Sequence, residues 1–287
     1  MKTSALFKQK RVLSFEVFPP KQSGSVESFY STVEELKDLA PDFISVTSGA
    51  GGSENNTETL EIASTIKNKY GIESVVHLPG INLDKKEALK VLDDLKNAGI
   101  ENILALRGDE NPTFTPKNDF KHASDLISFI EDNGDFNIIA ACYPENHLEC
   151  PTAIEDIHNL KYKVDAGTNQ LITQLFFDNS YFYDFRERAA IAGIDVPIEA
   201  GIMPVVNKRQ IERMVSLCGV DLPKKFLSII NTFENNPEAL LEAGIAYAVD
   251  QIVDLTANGV DGIHLYTMNN PYITRRIYES ISTLLTS

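Results

Sequence analysis

A chain of 287 residues with 43% hydrophobic and 23% charged side chains has ordinary globular composition and enough apolar matter for a sizeable core. Its formal charge of −15 and pI near 4.8 repel phosphate backbones and anionic lipid, so no nucleic acid and no membrane surface is expected as a partner. Three cysteines (Cys142, Cys150 and Cys218), without a CxxC, suggest neither a disulfide framework nor a zinc knuckle. There is no span-length apolar run, and the basic residues 1–11 lack the core of a signal peptide, so a cytoplasmic home is expected.

Short apolar, β-branched runs alternate with segments of helical period along the whole chain. The pattern predicts strands over 12–18, 43–47, 74–78, 102–107, 137–143, 171–177, 198–203 and 262–266. Helices are predicted over 26–39, 57–69, 85–97, 123–131, 153–166, 180–192, 208–217 and 238–257. Asn97-Ala98-Gly99, Asp165-Ala166-Gly167 and Asn258-Gly259 are helix stop signals. Eight strand–helix units in a row favour a closed parallel barrel over an open sheet. The expected fold is a single (β/α)8 TIM barrel, one domain over 1–287 with a short N-terminal extension before residue 11.

The first predicted strand carries one carboxylate. In Ser14-Phe15-Glu16-Val17-Phe18-Pro19-Pro20-Lys21, alternation puts Phe15 and Val17 on one face and Glu16 on the other. The two prolines, which cannot continue a hydrogen-bonded ladder, end the strand just past the acid. Other strand ends are also polar or glycine-rich: Thr47-Ser48-Gly49-Ala50-Gly51-Gly52, His77, Arg107-Gly108-Asp109, Tyr143-Pro144-Glu145-Asn146-His147, Gln174, and His264 through Asn270. Polar groups gathered at one end of many strands are the sequence signature of a barrel active site.

Rival readings of these motifs are weaker. Glu16, His77, Asp109, His147 and His264 are the right residue types for a metal, but no HxH or HExxH spacing is present and no metal is expected. Gly49-Ala50-Gly51-Gly52 does not complete GxGxxG, because Glu54 occupies the last position. Residues 156–163 form a helical run with Asp156, Asn159 and Lys163 on one face, which by itself reads as a solvated surface.

In this order, segments 14–21, 44–50, 77–78, 106–109, 123–126, 143–147, 159–167, 172–178, 201–210 and 266–269 resemble the methylenetetrahydrofolate reductase family in its short bacterial form. The resemblance implies FAD-dependent reduction of methylenetetrahydrofolate to methyltetrahydrofolate, with NADH or NADPH as electron donor in a ping-pong hydride relay that supplies methyl groups for methionine. It implies tightly but non-covalently bound FAD, and a homo-oligomer is expected. Glu16 becomes the general acid that protonates the departing nitrogen, and Asp109 acts beside flavin and pterin. FAD contacts fall on Ser48, Ala50, His77, Arg107, Gly108, Asp109, Ala123, Tyr143, His147, Cys150, Asp156, Asn159, Tyr162 and Lys163. Thr47, Gln174, Gln210 and Asn270 face the nicotinamide or folate. Ser48, Cys150, Tyr162 and Asn270 depart from the residues that the family pattern carries there. No regulatory S-adenosylmethionine-binding half is expected beside the barrel. Two alternatives remain from the residues: a metal-dependent barrel hydrolase or lyase, and a non-catalytic folate- or flavin-binding barrel.

Overall fold

Alternate side chains of each strand point to opposite faces and both faces are buried, which gives one core inside a ring of strands and one outside it. The computed structural model describes residues 1–20, 25–48, 52–109 and 116–285, with the side chains of 52–56, 213 and 217 left out. Its strands are β1 (Val12–Val17), β2 (Phe43–Val46), β3 (Glu73–Pro79), β4 (Asn102–Leu106), β5 (Asn137–Cys142), β6 (Gln170–Thr173), β7 (Ile198–Ile202) and β8 (Gly262–Tyr266). Each strand pairs in parallel with the next, and β1 pairs with β8, which closes the barrel. This is the expected (β/α)8 fold.

Leu13, Phe15 and Val17 point outward into the large core shared with the helices. Val12, Phe43, Val75, Leu104, Ile139 and Ile172 point inward and pack on one another with Leu6. The outer layer is formed by α1 (Val26–Lys37), α2 (Gly52–Asn68), α3 (Lys85–Asn97), α4 (Ala123–Asn133), α5 (Ala153–Asp165), α6 (Asn179–Ile191), α7 (Lys208–Cys218), α8 (Lys224–Phe233), α9 (Pro237–Ala257) and α10 (Pro271–Leu285). Many starts are capped by side chains: Asp84 and Glu87 form a reciprocal capping box on α3, and Thr152, Asp178 and Asn207 cap α5, α6 and α7.

The segment before residue 11 is a plug. Residues Thr3–Lys8 form a 3-10 helix under the barrel, where β4, β5 and β6 start with the polar Asn102, Asn137 and Gln170. Thr3 bonds to all three: its amide donates to Asn102 Oδ1 (2.9 Å), its hydroxyl donates to Gln170 Oε1 (2.7 Å), and it accepts from Asn137 Nδ2 (3.0 Å). Buried polar groups need such partners.

Three features differ from the sequence expectation. β6 ends at Thr173 instead of continuing to 177, because the carbonyls of Phe176 and Phe177 are bonded by Gln251 Nε2 (3.2 Å) and Tyr247 Oη (2.6 Å) of α9 rather than by a neighbouring strand. Beyond that point Leu175 and Phe177 join a satellite core with Met203, Phe226 and Ile230, and the additional helix α8 supplies the last two. The additional helix α10 follows β8 and buries Ile273, Ile277 and Ile281 at a spacing of four.

Candidate active site

The inward face of β1 carries Val12, Ser14 and Glu16, so the carboxylate stands at the C-terminal mouth of the barrel above an apolar interior. Glu16 Oε2 lies 3.5 Å from His77 Nε2 of β3 and 3.6 Å from His264 Nε2 of β8. Both imidazoles are buried, and neither Nε2 has a hydrogen-bond partner. Burial drives the His77 pKa down to about 4, with the neighbouring His264 adding to the fall and Glu16 opposing it. His77 is therefore a neutral imidazole at pH 7. Tyr266 closes the far side of this group, with its hydroxyl donating to the Thr173 carbonyl (2.7 Å) and its ring edge-on to His264.

After β4 the chain turns through Arg107-Gly108-Asp109. Gly108 adopts φ 89, and a Cβ there would lie 2.8 Å from Ile81 Cγ2 and 2.9 Å from Pro79 Cβ, so the turn requires glycine. The turn is tied down by Ile81 N donating to the Arg107 carbonyl (2.8 Å). Arg107 forms a two-pronged pair with Glu149, at 2.5 and 2.8 Å. After β5, Tyr143 and His147 pack edge-to-face with centroids 4.7 Å apart, and burial raises the tyrosine hydroxyl to about 12. On α5, Lys163 Nζ donates to the Ala141 carbonyl (2.6 Å) and sits over the Tyr143 ring, and its burial lowers its pKa. Asn159 Nδ2 donates to Cys150 Sγ (3.2 Å). Gln174 is fixed by its Oε1 accepting from Leu175 N (2.9 Å).

Two adjoining cavities open among these side chains. The outer one, 540 Å³, is lined by nine of the expected residues: Arg107, Ala123, Tyr143, His147, Cys150, Asp156, Asn159, Tyr162 and Lys163. The inner one, 360 Å³, lies over the barrel mouth and is lined by Glu16, Thr47, His77, Gly108, Asp109, Gln174 and Tyr266 among others. Arg107, Tyr143 and His147 line both, so the two form one continuous site.

Four expected residues stand apart from this lining. Ala50 lies outside the described residues, and Ser48 follows Thr47 without lining either cavity. Gln210 is engaged in its own loop, accepting from Val206 N (3.2 Å) and donating to the Pro204 carbonyl (3.3 Å). Asn270 caps α10, accepting from Ile273 N (3.1 Å). Conversely, Glu199 lies outside every sequence motif, and Ser14 and Tyr266 lie inside motifs that assign them no role. Their signal was positional: Ser14 precedes Glu16 by one strand period, and Glu199 is a lone carboxylate in the apolar run Ile198-Glu199-Ala200-Gly201-Ile202.

The sequence profile of methylenetetrahydrofolate reductase matches residues 2–282. The chain belongs to the methylenetetrahydrofolate reductase family. It is 38% identical over 269 residues to the 5,10-methylenetetrahydrofolate reductase of Pectobacterium carotovorum subsp. carotovorum, covering 94% of this chain and 89% of the relative. The Escherichia coli (strain K12) enzyme of the same name is 36% identical, with 94% and 90% covered. Methylenetetrahydrofolate reductase (NADH) 1 of Arabidopsis thaliana is 35% identical over 89% of this chain but only 46% of its own length. Among solved structures, an uncharacterized Clostridium thermocellum protein that binds two copies of 5-methyl-5,6,7,8-tetrahydrofolic acid shares the fold (TM-score 0.66, 14% identity, 99% and 98% covered). The two cavities lie at the C-terminal ends of this chain's strands, where barrel enzymes do their chemistry.

Proposed function

We propose that this family member is a cytoplasmic, homo-oligomeric flavoenzyme, one catalytic domain over 1–287. It reduces 5,10-methylenetetrahydrofolate to 5-methyltetrahydrofolate with FAD and NADH or NADPH, in a ping-pong sequence that feeds methionine synthesis. The observation that carries this reading is Glu16 at the floor of the inner cavity, beside an outer cavity that brings Arg107 and Lys163 together on an otherwise acidic protein.

The residues present fit an extended, doubly charged dinucleotide. The outer cavity offers two cations and the amide of Asn159 for a diphosphate, and the inner one offers a partly apolar mouth for a flat ring. Arg107, Asn159 and Lys163 would hold the diphosphate, and Tyr143 and His147 would flank the join between the cavities. FAD, when bound, supplies a ring that accepts hydride from the nicotinamide and delivers it to the folate.

This chain's own work is proton handling and orientation. The methylene bridge of the substrate becomes a hydride acceptor only when one of its two nitrogens departs, and that nitrogen needs a proton. Glu16 is the acid at the mouth, and general acid catalysis by such a group is worth about a hundredfold to ten-thousandfold. His77, being neutral, places no cation beside it. Gln174 offers an amide to the pterin edge or, in the other half-reaction, to the nicotinamide carboxamide. Asp109 sets a carboxylate at the lip of the inner cavity, next to both reactants.

The test is an FAD titration followed by anaerobic half-reactions. Bound flavin should be bleached by NADH or NADPH and re-oxidised by methylenetetrahydrofolate. A colourless protein that cannot be reconstituted with FAD refutes the reading and favours a metal-dependent barrel. Flavin that binds but is not bleached by either nicotinamide marks a non-catalytic binder.

A further inference from the structure

A column of buried polar side chains runs down from Glu16 into the barrel and ends on Gln170, which the N-terminal plug also holds through Thr3. His264 Nε2 faces Glu16 at 3.6 Å, and its other ring nitrogen, Nδ1, is 2.6 Å from Ser14 Oγ. Ser14 Oγ is in turn 2.7 Å from Glu199 Oε1, and Gln170 Nε2 donates to Glu199 Oε2 (3.2 Å). Ser14, Gln170, Glu199 and His264 are all fully buried. Gly262 makes the room: a Cβ there would lie 2.9 Å from Glu199 Cγ.

We propose that Glu199 is a positioning residue that holds a proton for Glu16 and passes it through Ser14 and His264. The inference rests on the assignment of Glu16 as the acid. Each turnover consumes the proton that Glu16 donates, so the donor at the barrel mouth needs a source. A serine hydroxyl donates only one hydrogen bond, which makes the chain directional. In one arrangement protonated Glu199 donates to Ser14, Ser14 donates to His264 Nδ1, and His264 Nε2–H faces ionised Glu16. In the other, Ser14 donates to ionised Glu199, His264 Nδ1–H donates to Ser14, and bare Nε2 accepts from protonated Glu16. Conversion moves one proton at each link: Glu199 to Ser14, Ser14 to His264, His264 to Glu16. Glu199 ends ionised, Glu16 ends protonated, and Ser14 and His264 end with unchanged charge. The last gap closes with a shift of about half an ångström toward ordinary hydrogen-bond length. Once product has left, a proton from solvent reaches Glu199 by the same path in reverse.

The surroundings suit the role. Burial raises the Glu199 pKa to about 8, and Asp42 and Asp261 add to the rise while the bonds from Ser14 and Gln170 oppose it. Asp42 is paired with Lys10 at the barrel base. At the other end, Glu16 is faced by His77 of β3 and by His264 and Tyr266 of β8.

The test combines infrared spectroscopy with half-reaction kinetics, comparing the parent with Glu199→Gln and Ser14→Ala. A protonated-carboxyl band that is absent from Glu199→Gln and titrates with a midpoint near pH 8 in the parent is expected. The parent should keep its folate half-reaction to about pH 8. Both variants should lose it at least one pH unit lower, about tenfold slower at pH 8, with flavin reduction by nicotinamide within twofold of the parent. Ser14→Thr, which restores the hydroxyl, should restore the profile. An ionised Glu199 at pH 7, or an unmoved folate profile in both variants, overturns the proposal. The infrared titration needs neither flavin nor turnover. A protein that binds no FAD therefore refutes the functional reading, while the band still decides whether Glu199 holds the proton.

Discussion

Replacing Glu16 with Gln removes one ionisable proton and almost nothing else. The backbone of residue 16 keeps its place, because its carbonyl accepts from Thr267 Oγ1 (2.6 Å) and its ladder registers with Ser45 and Tyr266 are main-chain bonds. The side-chain oxygen stands 3.5 and 3.6 Å from two imidazoles, outside ordinary hydrogen-bond length, so little direct bonding is lost. His77, held near pKa 4, carries no charge at neutrality, so no ion pair with it is broken. Stability should therefore change by less than about 1 kcal/mol, and FAD affinity should stay near the parent's. The folate stroke is different. Loss of a general acid of typical strength slows it by a factor of about a hundred to ten thousand, or roughly 2.7–5.4 kcal/mol of barrel-mouth proton transfer. Stopped-flow absorbance of the flavin, run separately with nicotinamide and with methylenetetrahydrofolate, reads the two strokes independently. Equal loss in both would make Glu16 a structural residue, and an unimpaired folate stroke would place the proton on another group.

Asp109→Asn keeps the shape of the cavity lip and removes its charge; FAD should remain bound while folate turnover weakens and flavin reactivity shifts, measured by the same two half-reactions. Glu149→Gln frees Arg107 from a carboxylate that is 61% exposed. An exposed pair of this kind is worth about 0.2–1 kcal/mol, so isothermal titration should show FAD binding tightened by up to about fivefold, and weakened binding would mean Glu149 supports the site. Denaturation as a function of pH tests the buried carboxyl. Because the Glu199 pKa is raised in the folded state, the native protein binds more protons than the unfolded chain between the ordinary carboxylate range and about pH 8, and stability falls as pH rises through that window. His77, with its lowered pKa, acts in the opposite sense between about pH 4 and 6.5, and Glu145, raised to about 7 by burial, adds to the fall below 7. Between pH 7 and 8 the Glu199→Gln variant should therefore show a flatter decline than the parent.

The barrel was legible because parallel strands buried on both faces read as short β-branched runs, and helix caps and glycine stops punctuate the rest. The gathering of Glu16, Thr47, His77, Asp109 and Gln174 was legible for a topological reason: in a closed parallel barrel every strand end reaches the same face. Other features depended on tertiary partners. β6 looked like a strand through Phe177 because its residues favour strands, and only α9's Gln251 and Tyr247 decide where the ladder stops. Gln210 and Asn270 followed from resemblance rather than from position, and the structure uses both for loop and cap hydrogen bonds. Helix α10 carried a readable spacing of four in Ile273, Ile277 and Ile281.

The polar column under Glu16 bears on why the site is where it is. Inward positions of a small parallel barrel are usually filled by branched apolar side chains, and Val12, Phe43, Val75, Leu104, Ile139 and Ile172 do this here. Ser14, Glu199 and His264 occupy inward positions on β1, β7 and β8, neighbours around one side of the ring, with Ser14 level with His264 and Glu199 level with Gly262 below it. Each buried polar group costs stability unless bonded, and His264 Nε2 and His77 Nε2 are left unbonded. Replacing both partners of a buried polar pair by aliphatic side chains is often neutral or stabilising, so the barrel fold itself does not demand these groups. The buried polar groups cluster on β1, β3, β7 and β8, around and below the carboxylate of Glu16, which faces two imidazoles. Strain and unsatisfied groups gather at places that chemistry requires, and their position under Glu16 ties the barrel interior to the proton that the folate reaction consumes.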